Sequence, residues 1–338
     1  MRTKTFRKMF GGAALGVTIF LWVVPMRQTK PVMTQAFAFT QVDVAHSSDM
    51  DLRIVFYGYP EIGLSKSGSA IITQTGLSDM RDITFTRVGG ELSPDGRLIA
   101  YDNCRSPNRG IYLAGPDGNK ARKLLPVNNQ NCVNLRWSPD STKLSYVSDA
   151  DHSLHIFDIA GRRDRAVPNT QLAGWHWWSP AGDRIVYSRR ASAGSGNLLY
   201  ITDLLGKSRQ LTFARDFAPC KSEDDLIDTR MPAWSPHGDK IAFTQCGALF
   251  VISPDAEGLR QLTARERAAS PDILSFAAAD NPRWTPDGKW IVFSDGIAFV
   301  GAPVALKKIS ADGATVVEIG ELPYGGGSFS IAPVKRGS

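Results

Sequence analysis

The sequence predicts an all-β fold, a six-bladed β-propeller of four-stranded blades, and two observations support this prediction. A turn built on Trp-Ser-Pro recurs along the 338 residues, and each copy precedes a short apolar strand that ends in an aromatic residue. A repeat of about 40 to 50 residues that contains four short strands is typical of a propeller blade. The strand-ending aromatic residues recur every 41 to 56 residues, and they are Phe56, Tyr101, Tyr146, Tyr187, Phe243 and Phe293.

The repeated turn has a structural explanation. Pro presets φ at the first turn position, Asp or Ser bonds the local backbone, and Gly takes the left-handed conformation that closes the hairpin. We expect the turn to join the first two strands of each blade, with its Trp wedged between neighbouring sheets. The copies are Trp137–Asp140, Trp178–Pro180, Trp234–Pro236 and Trp284–Pro286, one without Trp at Leu92–Gly96, and a degraded one at His46–Asp49.

The rest of each blade follows the turn in order. A second strand carries its own turn and leads to a last short strand, as in Leu199–Asp203, Gly206 and Arg209–Thr212. The ring then needs one strand to close it. Ser328–Ile331 could supply it beside the first blade, and Phe37–Val44 could supply it beside the last.

Residues 1–38 carry a targeting signal, and we assign residues 39–335 to the propeller. Four basic residues precede the uncharged, largely apolar run Met9–Met26, and Ala36–Ala38 offers a cleavage site. The run is also long enough to span a membrane, and the flanking charges predict the N-terminus inside and the body outside. We therefore expect an exported, periplasmic or otherwise extracytoplasmic protein. The segment is either cleaved or retained as a membrane anchor.

The net charge of +6 belongs to this leader. Its six basic residues, with no acid among them, leave equal numbers of acidic and basic residues in the body. A surface that follows nucleic-acid phosphates needs a local excess of positive charge. The sequence therefore predicts no nucleic-acid partner.

The repeat resembles the TolB-type propeller, whose blades read P-x-W-S-P-D-G-x-x-I-A-F, then I-Y-x-x-D-x-x-G, then L-T. Pro232–Phe243 follows this pattern, and the resemblance covers about residues 40–322. It implies a six-bladed propeller and an exported location. It is less specific about function, because such blades occur in binding proteins, in peptidases and in some lyases. The family's type protein has an α/β domain before its propeller, and too few residues precede the first strand here for one.

The two faces of the predicted disc differ. The tight turns emerge on one face, and the second–third and blade-to-blade connections emerge on the other. We expect that second, loop-rich face to bind a partner, because function concentrates on variable loops held by a rigid scaffold. Its long connections are predicted at Tyr57–Ser69, Ser188–Asn197, Phe213–Arg230 and Ala264–Asp280.

All four cysteines map to the loop-rich face. An even number of cysteines in an exported chain favours disulfides. We expect the pairs Cys104–Cys132 and Cys220–Cys246, although four cysteines allow three pairings.

Motifs for known chemistry are missing from the sequence. It contains no G-x-S-x-G, G-x-G-x-x-G, P-loop or H-E-x-x-H pattern, and we predict no cofactor, metal or catalytic residue. His152 and His155 would point to opposite sides of a strand. The acidic run Glu223–Asp228 could hold calcium, but a solvated loop fits its irregular order better. We keep its Asp224 and Asp225 as candidate binding residues.

The stretch Gly174–Pro180 is the most unusual aromatic segment. Alternation along an inner strand sends Trp175 and Trp177 to the same side, with His176 between them. They could form a flat binding surface on the central channel, or they could plug it. Arg136 and Arg283 hold the position of Trp177 in two other blades, and Glu91 holds it in a third.

Two main hypotheses about function follow. The first is a non-enzymatic binding module, monomeric and outside the cytoplasmic membrane, that engages a protein or an envelope polysaccharide through the loop-rich face. The alternative is a carbohydrate lyase or hydrolase with its site at the channel mouth, where His176, Arg136 and Arg283 are the candidates. A sensor within an envelope signalling complex is a third possibility, and it requires a retained membrane anchor.

Overall fold

The structure, a computed structural model, describes residues 52–61, 64–73, 76–83, 90–103, 108–126, 134–190, 197–217, 230–263, 279–295, 303–323 and 329–333. Their strands form six antiparallel four-stranded sheets. The innermost strands of neighbouring sheets contact one another all the way round the ring. The predicted all-β, six-bladed propeller is therefore confirmed.

The strands of the first three blades follow chain order. Blade 1 contains β1 (Leu52–Glu61), β2 (Leu64–Thr73) and β3 (Gly76–Ile83). Blade 2 contains β4 (Gly90–Leu92), β5 (Ile99–Asp102), β6 (Ile111–Ala114) and β7 (Arg122–Leu125). Blade 3 contains β8 (Arg136–Trp137), β9 (Lys143–Val147), β10 (Leu154–Asp158) and β11 (Arg163–Ala166).

The last three blades continue this order. Blade 4 contains β12 (Ala173–Trp178), β13 (Arg184–Arg190), β14 (Asn197–Asp203) and β15 (Ser208–Gln210), followed by a short 3-10 helix at Ala214–Asp216. Blade 5 contains β16 (Arg230–Trp234), β17 (Ile241–Gln245), β18 (Ala248–Ile252) and β19 (Arg260–Gln261). Blade 6 contains β20 (Ala279–Trp284), β21 (Trp290–Asp295), β22 (Val304–Ser310) and β23 (Val316–Leu322).

The C-terminal strand β24 (Phe329–Pro333) closes the ring as the innermost strand of blade 1. It pairs antiparallel with β1, from Leu52 opposite Pro333 to Phe56 opposite Phe329. Of the two segments that could close the ring, the C-terminal one does so.

The hydrophobic core lies between the blades. Each of six buried clusters joins one blade to its neighbour, and together they link all six neighbouring pairs. One such cluster packs Trp178 and Ile185 of blade 4 against Leu154 and Val167 of blade 3. Each blade is therefore stabilised by burying its apolar surface against the next blade.

The repeated turn and its Trp behave as predicted. The turns at Trp137, Trp178, Trp234 and Trp284 join the first and second strands of their blades. Three of the indole N–H groups donate to the preceding blade: Trp137 to the Glu91 carbonyl (2.8 Å), Trp178 to Ser145 Oγ (2.8 Å) and Trp284 to the Ala233 carbonyl (3.0 Å). Each of these Trp side chains therefore joins two blades, through a hydrogen bond and through apolar packing.

One predicted loop is a strand pair instead. Tyr57–Ser69 was expected to be irregular, but β1 and β2 form a long hairpin that pairs Tyr57 with Ser67 and Glu61 with Leu64. β1 extends five residues past its last partner on β24. This β1–β2 ribbon projects from the loop-rich face. The segment contains Gly and Pro, which are typical of loops. A bulge between Gly58 and Glu61 accommodates these residues within the strand pair.

Several predictions concern residues outside the described ones. These are the leader at residues 1–38, the acidic residues Asp224 and Asp225, and Cys104, Cys132 and Cys220. Cys246 directly follows β17 and is disulfide-bonded, while the two proposed pairings stay predictions. In the part of the chain that the structure describes, no helix has the length and apolar character needed to cross a membrane.

Candidate functional site

The six innermost strands place one equivalent residue each around the propeller axis. Each of these residues pairs with the middle of the second strand of its blade, as Arg136 does with Ser145 and Arg283 with Val292. We call this set the axial ring, and its members are Glu91, Arg136, Trp177, Ala233, Arg283 and Ser330.

Two arginines of the axial ring share one glutamate. Arg136 Nη1 lies 3.0 Å from Glu91 Oε2, and Arg283 Nη2 lies 3.6 Å from the same oxygen. The arginine side chains are only 7% and 2% exposed, and that of Glu91 is 12% exposed. Arg283 belongs to blade 6 and Glu91 to blade 2, so their contact spans blade 1. The small side chain of Ser330 in blade 1 leaves room for that contact.

Trp177 lies against both guanidinium groups. The centre of the Arg136 guanidinium is 5.0 Å from the Trp177 ring centroid, and that of Arg283 is 4.6 Å from it. Both distances fall within the range of cation–π attraction. The Arg283 contact crosses blade 5, where the ring residue is the small Ala233. The two arginines, Glu91 and Trp177 therefore form one contiguous cluster at the propeller axis.

The axial ring carries more positive than negative charge. Two arginines and one glutamate leave a net charge of +1 if all three are ionised. Burial, together with the neighbouring charge of Arg136, lowers the pKa of Arg283 to about 9, while Glu91 and Asp280 act in the opposite direction. Arg283 therefore still carries its charge at neutral pH.

Several polar atoms near the axis make no hydrogen bond to any of the described residues. They are Nε and Nη2 of Arg283, Nε of Arg136 and Oδ1 of Asn281. Buried polar groups in proteins are nearly always hydrogen-bonded. These atoms are therefore able to make further hydrogen bonds at this level of the axis.

His176 is not part of the axial surface. It is completely buried, and its Nε2 lies 2.8 Å from Ser145 Oγ in blade 3. Burial, reinforced by the charge of Arg136, lowers the pKa of His176 to about 3, so the ring is neutral. Its Nδ1 faces the Gly174 carbonyl at 3.4 Å. Nε2 thus joins blade 4 to blade 3, while Nδ1 faces a carbonyl of its own strand.

Trp175 is half-buried, and its backbone N–H donates to Ser188 Oγ (3.0 Å). The strand pairing shifts between Ala173 and His176, so a bulge interrupts the regular alternation there. The expectation that Trp175 and Trp177 share one side rested on that alternation. The pairing therefore does not support it, and only Trp177 meets the arginines.

Two further inner strands have an irregularity at the same level. Their pairings shift between Arg230 and Ala233 in blade 5 and between Asp280 and Arg283 in blade 6. Met231 and Asn281 adopt positive φ angles of 48° and 55° within these stretches. Bulges redirect side chains and are common beside functional sites, and they lie here on the loop-rich side of the axial ring.

Sequence reasoning identified the large members of the axial ring but missed Asn281. Asn281 is buried, and its Nδ2 donates to the Phe329 carbonyl of the closing strand (3.1 Å). Its distinguishing feature is the left-handed backbone, which Asn tolerates better than most residues. The signal in the sequence that could have identified Asn281 is its place two positions before Arg283 on an inner strand.

The comparisons with known proteins point to one kind of propeller. No protein-family model matches the chain. The Tol-Pal system protein TolB of Gluconobacter oxydans (strain 621H) is 26% identical over 230 residues, which are 54% of this chain and 50% of that protein. The uncharacterized peptidase YuxL of Bacillus subtilis (strain 168) is 23% identical over 163 residues, 47% of this chain and 21% of the peptidase.

The fold comparison agrees. The crystal structure of TolB from Acinetobacter baumannii superimposes with a TM-score of 0.62 at 15% identity, covering 83% of this chain and 67% of that one. The chain thus spans only half of the curated TolB relative and about a fifth of the peptidase. The chain is therefore a six-bladed β-propeller that is similar to TolB in sequence and in fold.

Proposed function

We propose that this protein is a non-catalytic binding module outside the cytoplasmic membrane, which engages a protein or an envelope polymer through its loop-rich face. The observation that carries the proposal is the difference between the two faces of the disc. One face consists of short, internally bonded turns, and the other carries the β1–β2 ribbon and the longest connections.

The polar groups of the turn face are hydrogen-bonded to one another. In each of the turns after β4, β8 and β20, a Ser or Thr hydroxyl donates to an Asp two residues later at 2.5 to 2.6 Å. Neighbouring turns also touch, since the Asp95 N–H donates to Ser141 Oγ (3.3 Å) and His237 Nε2 lies 3.0 Å from the Asp287 carbonyl oxygen. Groups already bonded to one another have little capacity left for a partner.

Both ends of the propeller lie on the turn face. β1 begins there at Leu52, opposite Pro333 at the end of β24.

Sequence supports the location and the class of partner. The basic, apolar leader favours export, and the TolB relative is named as a component of the Tol-Pal system. By that similarity we propose a protein partner in the cell envelope, with the module acting as a monomer. If the leader is not cleaved, the protein would also be held at the membrane through this segment.

Site-specific photo-crosslinking in the native cell tests the proposal. One photoreactive residue would replace Asp224, in the connection between β15 and β16 that the sequence predicts to lie on the loop-rich face. The control would replace Leu205, which is 84% exposed on a turn of the opposite face. We expect a discrete protein adduct from position 224 and none from position 205.

Other outcomes of this experiment are equally informative. Equal adducts from both positions would contradict the assignment of the binding face. An adduct with polysaccharide in place of protein would leave the face correct and change the class of partner. No adduct from position 224 or from a second probe at Glu61 in the β1–β2 ribbon would contradict the binding-module proposal.

The alternative hypothesis of a carbohydrate lyase or hydrolase at the channel stays a prediction. Its candidate His176 is buried between two blades, and Arg136 is paired with Glu91. No contact among the described residues favours this hypothesis over the first.

A further inference from the structure

We propose that the axial ring is a binding site for a carboxylate group, held by Arg283. The inference does not depend on the proposed function, because it concerns the propeller axis and makes no use of the loops. It starts from Nε and Nη2 of the buried Arg283, two donors that make no hydrogen bond to any residue the structure describes.

The two unused donors lie on one edge of a planar group. In a guanidinium, Nε–H and one terminal N–H point in the same direction and match the two oxygens of a carboxylate. Nη1, on the other edge of Arg283, already donates to the Pro282 carbonyl (3.2 Å). The free edge of Arg283 therefore has the geometry of a two-pronged carboxylate clamp.

Glu91 does not fill this clamp. Its Oε2 lies 3.6 Å from Arg283 Nη2, which is an ion-pair distance and too long for a hydrogen bond. The same oxygen accepts a hydrogen bond from Arg136 Nη1 at 3.0 Å. Glu91 thus neutralises one of the two arginines and leaves the free edge of Arg283 without an acceptor.

The charge of the ring selects the class of ligand. Asp280 also acts on Arg283, so the two arginines face two carboxylates, and a singly charged ligand adds less excess charge than a doubly charged phosphate. A buried guanidinium donor without an acceptor is unfavourable, because it has lost its hydrogen bonds to water. A monoanion with two oxygens gives each of the two donors a charged acceptor of its own, which one water molecule does not.

The carboxylate would enter from the loop-rich side, and side chains there would have to move, because Nε and Nη2 of Arg283 are themselves buried. Arg283 is the second-last residue of β20, directly before the turn that closes the opposite side. Trp177 covers a face of its guanidinium and is only half-buried, and Glu91 is also partly exposed. The unpartnered Oδ1 of Asn281 lies two residues earlier on β20, toward the loop-rich side. A carboxylate would enter past Trp177 and Asn281.

Melting curves at constant ionic strength test the site with formate, the smallest carboxylate. A ligand that binds only the folded state raises the melting temperature. We expect sodium formate to raise it relative to sodium chloride, and sodium phosphate to raise it less than formate does. Equal or larger stabilisation by phosphate, or no stabilisation by formate, would overturn the proposal.

The variant R283K separates the clamp from simple positive charge. Lysine keeps the charge but lacks the paired donors, so we expect the formate-dependent shift to fall at least threefold. The matched control is R184K, because Arg184 also lies over a Trp ring and its Nε makes no hydrogen bond to the described residues, but it belongs to blade 4 near the turn face. R184K should keep the full shift, and an unchanged shift in R283K would refute the role of Arg283.

A second variant keeps the test decisive if R283K does not fold. E91Q removes the competing carboxylate and raises the net charge of the ring from +1 to +2. We expect the formate-dependent shift to grow at least twofold in E91Q. A shift that stays the same or shrinks would contradict an anion site at this position.

Two peptides distinguish the sources of the carboxylate. A short peptide with a free C-terminus and the same peptide with an amidated C-terminus would be compared at equal concentration. A larger shift with the free acid than with formate, and none with the amide, would indicate the end of a protein chain. A shift with formate alone would indicate a small free carboxylate.

Discussion

At the scale of single residues, one hydroxyl in each tight turn organises the turn. Ser235 is buried, its Oγ donates to Asp239 (2.7 Å), and the Lys240 N–H donates to it in return (3.2 Å). Thr285 makes the equivalent bonds in blade 6, to Asp287 and from Trp290. The recurrent Ser or Thr of the motif is therefore needed for its hydroxyl.

This leads to a prediction about stability. Ser235→Ala should lower the free energy of unfolding by about 1 to 2 kcal/mol, because it removes a hydrogen bond from a partly buried backbone N–H and one to the Asp239 carboxylate. Ser235→Thr is the matched control and should change it little, since Thr285 shows that a threonine fits this position. Urea unfolding of the two variants measures the difference, and equal stability would contradict the role of the hydroxyl.

His155 provides a second prediction, about pH. Its Nδ1 lies 2.8 Å from Asp164 and its Nε2 lies 3.1 Å from Asp151. The hydrogen bond to Asp164, opposed by burial and supported by Asp151, raises the pKa of His155. A raised pKa means that the stabilisation is fully present below the unfolded pKa of about 6.5 and is lost as the pH rises through the folded pKa.

The measurement compares the wild type with His155→Gln between pH 5 and pH 9. We expect the free energy of unfolding of the wild type to exceed that of His155→Gln by the largest amount near pH 5. This difference should shrink toward pH 9. A margin that is constant with pH, or that grows with pH, would show that His155 is not charged in the folded protein.

At the scale of elements, β24 is the strand on which blade 1 most depends. It supplies five paired residues to β1 and the buried Phe329 to the cluster between blades 6 and 1. A chain that ends before β24 should lose more than the 3 to 5 kcal/mol that removal of one buried Phe side chain typically costs.

The matched control removes only residues 334–338, which follow β24. We expect this shorter deletion to leave the unfolding curve unchanged, while deletion of residues 329–338 lowers the midpoint and broadens the transition. Equal curves for the two deletions would mean that β24 does not hold the ring closed. Calorimetry of both chains at equal concentration gives the answer.

At the scale of the whole molecule, local chemistry made the fold predictable. Each turn motif and aromatic strand end specifies one hairpin, and six copies in register leave little choice of architecture. The closing strand could not be decided, since Phe37–Val44 and Ser328–Ile331 both contain the apolar residues of an inner strand. Only the long-range pairing of Leu52–Phe56 with β24 resolves it.

The site was predictable only in part. Equivalent positions in the repeat correctly grouped Arg136, Trp177 and Arg283 with Glu91, because the repeat brings equivalent positions to one level of the axis. The bulges were not predictable from alternation, and they changed the expectation for Trp175. Which charges pair depends on Ala233 and Ser330, whose small size lets Arg283 reach across two blades. Periodicity alone does not contain that information.

The closing strand also imposes an order in time. Blade 1 begins at residue 52, yet it receives its inner strand from residues 329–333. Ser330 bonds to Leu92 and Gly90 across 238 and 240 positions of the chain, and contacts of such long range form slowly. A chain that is still being synthesised therefore has an open ring. The disc can shut only after the final strand has arrived.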